Sequence, residues 1–196
     1  PRAMMRKAVV PLVAALAVAA IPSVSWADST IRSPGEHTDY HVDIEPHGVL
    51  GLAYWDTGAY GTFGFGGGAR FSIPLCKNCF IPKINNNVAI SFGADFVFYP
   101  FTNVNFTFTD LYLPVAMQWN FFIAKKWSVA GELGFAPVFG VFYDTGYCNG
   151  AGPNCHNWWI YPDAGVVARY HFNDRVALTM RLGFPEFFNV GVSFWL

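Results

Sequence analysis

Arg175-Val-Ala-Leu-Thr-Met-Arg-Leu-Gly-Phe184 and, three residues later, Phe188-Asn-Val-Gly-Val-Ser-Phe-Trp-Leu196 alternate apolar residues with polar or small ones. An extended chain repeats every two residues. Val176, Leu178, Met180, Leu182 and Phe184 therefore share one face of the first segment, and Ala177, Thr179, Arg181 and Gly183 share the other. The period specifies two strands joined as a hairpin. It leaves open whether the apolar face meets a protein core or lipid.

Composition bears on that choice. Of the 196 residues, 53% are hydrophobic and 13% charged, against about 25% charged in an ordinary soluble domain. Beyond the first thirty residues, however, Gly, Pro, Asn or a charge interrupts every apolar run before the roughly 18 to 20 residues that a helical span needs. Hydrocarbon offers no hydrogen bonds to an open strand edge, so without spanning helices a membrane chain has to close into a barrel. Aromatics at 18%, twenty of them Phe, suit a lipid-facing band with aromatic girdles. A net charge of -1 supplies no polybasic surface for nucleic acid, and no nucleic-acid partner is expected.

The N-terminal segment reads as an export address. Arg6-Lys7 is a short positive region, residues 8–21 are an apolar core carrying Pro11, and Ser25-Trp26-Ala27 is a small-x-small cleavage site. Residues 1–27 are therefore expected to be a cleaved signal peptide, with Pro1-Arg2-Ala3 upstream of a start at Met4 or Met5. Residues 28–38, polar and with Pro34-Gly35, are expected to be a short flexible periplasmic lead. Residues 39–196 are expected to be a single outer-membrane barrel domain.

Within it the alternation recurs over residues 39–54, 62–73, 88–99, 108–121, 127–142, 158–172, 175–184 and 188–196. This predicts an all-β chain of eight antiparallel, sequentially joined strands, the smallest bacterial up-and-down transmembrane barrel. Pro114 removes a ladder donor and predicts an irregularity in the fourth segment. With both ends in the periplasm, segments 56–61, 100–105, 143–157 and 185–187 become outer loops, and 76–87, 124–126 and 173–174 inner turns. The turn at 76–87 is long for a periplasmic one.

The signal-like leader, the eight alternating segments and the ending Val190-Gly-Val-Ser-Phe-Trp-Leu196 resemble the small outer-membrane β-barrel proteins, the group of OmpA-type transmembrane domains, OmpX and OmpW. The resemblance covers nearly the whole of residues 28–196 and is one of period, not of a unique motif. It implies that Val190, Val192, Phe194 and Leu196 form an end signal read by the barrel-assembly machinery, although Leu196 stands where Phe is usual. It also implies outer-membrane lipid and lipopolysaccharide as surroundings and the outer membrane of a Gram-negative envelope as location.

On the inner faces lie Asp43, Glu45, Asp95 and Glu132 against Arg70, Arg169 and Arg181, with His47 and His171 of related type. An eight-stranded interior is just wide enough to be filled by side chains. These residues are therefore expected to pair into a nearly neutral lumenal network that fills the barrel, with a polar ligand site or gated path as the alternative. His37, His41, Glu45 and His47 are too loosely spaced to predict a metal, and no metal or cofactor is expected. His171-Phe172-Asn173 lacks the Ser two residues after the His that a lipid A deacylase would show, and no catalytic residues are expected. Cys76 with Cys79 and Cys148 with Cys155 fall on different loops in an oxidising compartment, which predicts two local disulfides. The stapled loop 144–157 would be a solvated rim or a binding loop, followed by a girdle of Trp158, Trp159 and Tyr161.

The function expected from these readings is that of a non-enzymatic integral outer-membrane protein with a charge-filled lumen, serving envelope structure or surface interaction through its loops. A narrow channel for small hydrophobic or polar solutes, as the resemblance to OmpW implies, is the alternative, with Pro114 and Pro137 opening the wall and Tyr112 lining a pocket. A lipid-modifying enzyme comes third. Oligomeric state is not legible.

Overall fold

A strand that turns one apolar face outward along its whole length can be stable in lipid only if both its edges are paired, and the chain does this by closing on itself. The computed structural model describes residues 29–54, 61–101, 106–143 and 158–196. The strands are β1 (Asp43–Tyr54), β2 (Gly61–Lys77), β3 (Asn86–Phe101), β4 (Phe106–Tyr112), β5 (Val115–Ala124), β6 (Trp127–Tyr143), β7 (Trp158–His171), β8 (Val176–Phe184) and β9 (Glu186–Trp195). Each pairs antiparallel with its neighbours, and β1 pairs with both β2 and β9, which closes the ring. β4 and β5 are two halves of one wall strand, so the result is a closed eight-stranded antiparallel barrel.

The halves part at Leu113-Pro114. β3 pairs with β5 over Asn86–Phe92 and with β4 over Asp95–Phe101. On the other side β6 pairs with β5 up to Phe135 and with β4 from Val138. Pro114 and Pro137 both lack an N–H, so the ladder cannot run through this point. It is bridged instead by Gly93 N–H donating to the Pro114 carbonyl (3.1 Å) and Leu113 N–H donating to the Pro137 carbonyl (2.8 Å). The alternation keeps its phase across the break, with Tyr112, Pro114 and Ala116 all buried.

The outward face is the apolar one. Phe63 and Phe65 on β2, Phe96 and Phe98 on β3, Leu133 and Phe135 on β6, Val166 on β7 and Leu182 on β8 are all exposed. Val190, Phe194 and Leu196 lie on the same outer surface. Trp158, Trp159 and Tyr161 are exposed near one rim, where the sequence places a girdle.

Three local expectations need correction. The segment 185–187, read as a loop because of its Pro-Glu pair, is nearly all strand: only Pro185 separates β8 from β9, and Glu186 faces inward, buried, opposite Gly51. β1 starts at Asp43, four residues later than read, although His41 and Val42 N–H groups still donate to the Leu196 carbonyl. The stretch before it is no free lead. Thr30 is buried with its hydroxyl donating to the Phe122 carbonyl (3.0 Å), Asn85 N–H donates to the Ile31 carbonyl (2.8 Å), and His37 stacks on Phe122 at 4.5 Å. Tyr40 stacks on Trp195 at 4.3 Å, and its burial raises the phenol above its ordinary pKa. Polar composition suggested mobility, but the open end of the barrel supplies apolar rings and free carbonyls for this segment to cover.

The turn 78–85, long for its position, is internally braced. Cys76 and Cys79 are joined in a disulfide as the sequence predicts. Asn78 and Phe80 adopt positive φ, and Asn86 Nδ2 donates to the carbonyls of Ile81 (3.0 Å) and Ile84 (2.8 Å). Lys77 pairs with Asp39 and holds that carboxyl below its usual range. The expected signal peptide, the turn at 56–61 apart from Gly61, most of the loop at 100–105, and Cys148 and Cys155 with their loop lie outside the described residues.

The outward face predicts a depth-dependent response. Leu133→Arg, midway along β6, is expected to lower the unfolding free energy in phospholipid vesicles by about 2–4 kcal/mol, whereas Lys126→Ala at a turn should stay within about 0.5 kcal/mol. Urea titration followed by tryptophan fluorescence measures both.

Candidate functional site

The inward residues form layers along the barrel axis. At the end that carries the described N-terminal segment and Leu196, Tyr40, Phe122 and Trp195 make a buried aromatic floor. His171 lies edge-on to Trp195 at 4.6 Å and shares a hydrogen bond with Ser128 Oγ (2.9 Å). His171 thus belongs to this floor, not to the ion pairs with which the sequence grouped it. A cleft of about 420 Å³ opens outside the floor, between His37, Lys126 and Asp174.

Above the floor sits Arg169. Its guanidinium donates to Asn120 Oδ1 (2.9 Å), Gln118 Oε1 (3.1 Å) and Asp43 Oδ2 (3.4 Å). Asn120 passes the chain on to Asn87 (2.7 Å), and Ser193 donates to the same Asp43 oxygen (3.3 Å). The next layer is centred on Arg181. Its Nη1 donates to Glu45 Oε1 (2.7 Å) and its Nε to Glu132 Oε2 (2.8 Å), while Gln118 Nε2 donates to Glu132 Oε1 (2.6 Å). A planar guanidinium shared between two carboxylates uses its fork geometry fully.

Arg70 centres the third layer. Nε lies 3.3 Å from Asp95 Oδ2, Nη2 donates to Glu186 Oε2 (3.1 Å), and Nη1 lies 3.6 Å from Asp163 Oδ2. Asn189 Nδ2 donates to Glu186 Oε2 (2.6 Å). His47 sits beside this group, its Nδ1 3.0 Å from the Glu45 carbonyl and its Nε2 2.7 Å from Asp95 Oδ1. Beyond it the lumen turns apolar: Val49, Val97, Tyr99, Tyr112 and Val138 pack together, with the two phenols hydrogen-bonded at 2.8 Å.

Asp43, Glu45, His47, Arg70, Asp95, Glu132, Arg169 and Arg181 are thus all inward and buried. The near balance of sign read from the sequence does not hold. Asp110, Asp163 and Glu186 are buried too, which sets seven carboxylates against three guanidiniums among the described residues. Glu186 was missed because Pro185 suggested a loop, and Asp163 because it follows Pro162 at the end of an aromatic run. The inward phase of β7, counted back from Arg169 and Val167, would have found Asp163. Of the loosely spaced set His37, His41, Glu45 and His47, only Glu45 and His47 turn inward; His37 lies on the floor and His41 is exposed.

Ser128, the hydroxyl beside His171, is 1% exposed.

No protein-family model and no curated sequence matches this chain. Its structure is similar to that of Ail, the attachment invasion locus protein of Yersinia pestis, solved with the heparin analogue sucrose octasulfate: TM-score 0.56, 12% identity, covering 79% of this chain and 97% of that one. The fold is that of a small outer-membrane β-barrel. At this identity the likeness concerns backbone architecture, and the lumenal layers are described from this chain's own residues.

The second layer gives a quantitative expectation. Arg181→Met strands Glu45 and Glu132 against each other without a counter-charge, and is expected to cost about 3–5 kcal/mol. Adding Glu132→Gln to that variant removes one of the two repelling charges and should recover part of the loss, a coupling that chemical denaturation in micelles would read as a double-mutant cycle.

Proposed function

We propose that the protein is a non-enzymatic integral protein of a Gram-negative outer membrane whose interior is closed to solutes, and that its contribution to envelope structure or surface interaction is made at its rims. The observation that carries this reading is the stacking of an apolar plug, three arginine-centred layers and an aromatic floor in one narrow lumen. A route for polar solutes would have to part Glu45, Arg181 and Glu132, whose bonds span β1, β8 and β6. A sideways route for apolar solutes would need a gap at Pro114 and Pro137, and there Leu113 N–H and Gly93 N–H bridge the wall. Tyr112, expected from the sequence to line such a pocket, is hydrogen-bonded to Tyr99.

The outward apolar belt supports insertion in lipid, and the signal-like residues 1–27 support export. On this reading the end bearing Leu196 faces the periplasm, lipopolysaccharide surrounds the opposite half, and Val190, Val192, Phe194 and Leu196 are read by the assembly machinery before the barrel closes. What Ail is bound to in its crystal is a property of that protein.

Two measurements test the reading. Membrane fractionation of the chain expressed in a Gram-negative host should find it with outer-membrane markers. In planar bilayers the purified protein should carry no sustained current, and the double variant Tyr99→Ala/Tyr112→Ala combined with Arg181→Ala should carry one. Steady conductance from the unaltered protein would refute the closed lumen.

A further inference from the structure

We infer that His47, Asp95 and Glu186 form a binding site for a divalent transition-metal ion of the zinc class inside the barrel. The three residues come from β1, β3 and β9, and one donor atom of each lies within 4.8 Å of the others, all three residues being buried. Imidazole with two carboxylates is a donor set that such ions accept at about 2.0–2.2 Å, with water completing the shell.

The hydrogen bonding singles out the same atoms. His47 Nδ1 faces the Glu45 carbonyl at 3.0 Å, and a carbonyl only accepts, so Nδ1 carries a proton and donates. Nε2 is then the nitrogen that a metal would take in place of the proton it shares with Asp95, with the ring held from behind by a carbonyl as in metal-bound histidines. Asp95 and Glu186 each give one oxygen, Oδ2 and Oε2, to Arg70, and Glu186 Oε2 also accepts from Asn189. Of their other oxygens, Asp95 Oδ1 pairs with His47 Nε2, and Glu186 Oε1 is buried without a hydrogen-bond partner. A His–Asp ion pair, His47 Nε2 2.7 Å from Asp95 Oδ1, and an unpartnered oxygen of Glu186 thus converge on one buried point. Burial without a partner is costly for the Glu186 oxygen, and a cation bound between the three residues satisfies it while replacing the proton of the His47–Asp95 pair.

Charge points the same way. Arg70 stands on the far side of both carboxylates, yet the described lumen holds seven carboxylates against three guanidiniums, and a dication offsets much of that surplus. The plug on one side and the Arg181 layer on the other leave no wide path to the site, so the ion is taken up as the barrel folds.

The test follows from that. The full chain is refolded into detergent micelles with zinc or cobalt(II), passed through a chelating resin, and assayed for bound metal. The expected result is about one retained zinc per chain, retained also by His37→Ala/His41→Ala and lost from Glu186→Gln and His47→Gln. Cobalt(II) in the unaltered protein should show visible d–d bands distinct from the aquo ion, a readout that needs no variant to fold. Absence of retained zinc and an aquo-like cobalt spectrum in the unaltered protein would overturn the site, as would equal retention in folded Glu186→Gln.

Discussion

Hydrocarbon supplies no hydrogen-bonding partner to a backbone amide, and this constraint sets the rest of the molecule. It obliges β1 to find β9 and obliges the wall to stay bonded even where two prolines face each other. Leu113 and Gly93 donate across the β4–β5 break, so the interruption removes ladder bonds without opening an edge. Closure with eight strands in turn fixes a narrow interior, and every inward side chain has to fit what its opposite neighbours leave.

That narrowness explains how three arginines can organise the lumen. From β8, Arg181 reaches Glu45 on β1 and Glu132 on β6; from β2, Arg70 reaches Asp95 on β3, Glu186 on β9 and Asp163 on β7. Apart from Arg70 with Asp95 on the adjacent β3, these pairs tie strands that are not neighbours in the ring, and a slip of one residue in any of them would turn a charge into lipid. The network therefore specifies register as well as filling space. The plug uses the opposite device. A Cβ on Gly51 would stand 2.9 Å from Tyr99 Cζ, and one on Gly64 would stand 2.9 Å from Val97 Cγ1, so the bare backbone of β1 and β2 makes the room in which Tyr99 lies.

The period of two made the faces legible from the sequence, along with the eight segments and the trouble at Pro114. It was blind to what depends on contacts between distant strands. Glu186 was hidden because a Pro-Glu pair between two apolar runs has the chemistry of a turn, whereas pairing with β1 draws it into strand. Asp163 and Asp110 lie at segment ends, where flanking aromatics and prolines mask the alternation. Trp195 and Tyr99 are apolar residues facing inward, which a rule sorting residues by polarity cannot flag. His171 was correctly phased inward, but only depth along the axis separates a floor residue from an ion-pair partner, and depth follows from register. The order of residues 29–41 escaped notice for a similar reason: its partners, Phe122, Asn85 and Trp195, lie far away in the chain.

Ion pairs are not the only way to fill such an interior, since well-packed apolar side chains in place of a buried charge network are often as stable or more so. The reason for a polar lumen has to be sought before folding. A strand apolar on both faces reads as a continuous hydrophobic run, and eight of them would give an unfolded chain that aggregates in water. Alternation keeps half of each strand polar while the chain is outside the membrane. The polar half must then be paired once closure has removed its water, and the arginine layers do that. On this view the surplus of carboxylates is the unresolved remainder of the same requirement, and part of it gathers where Asp95 and Glu186 meet His47 beside the third guanidinium.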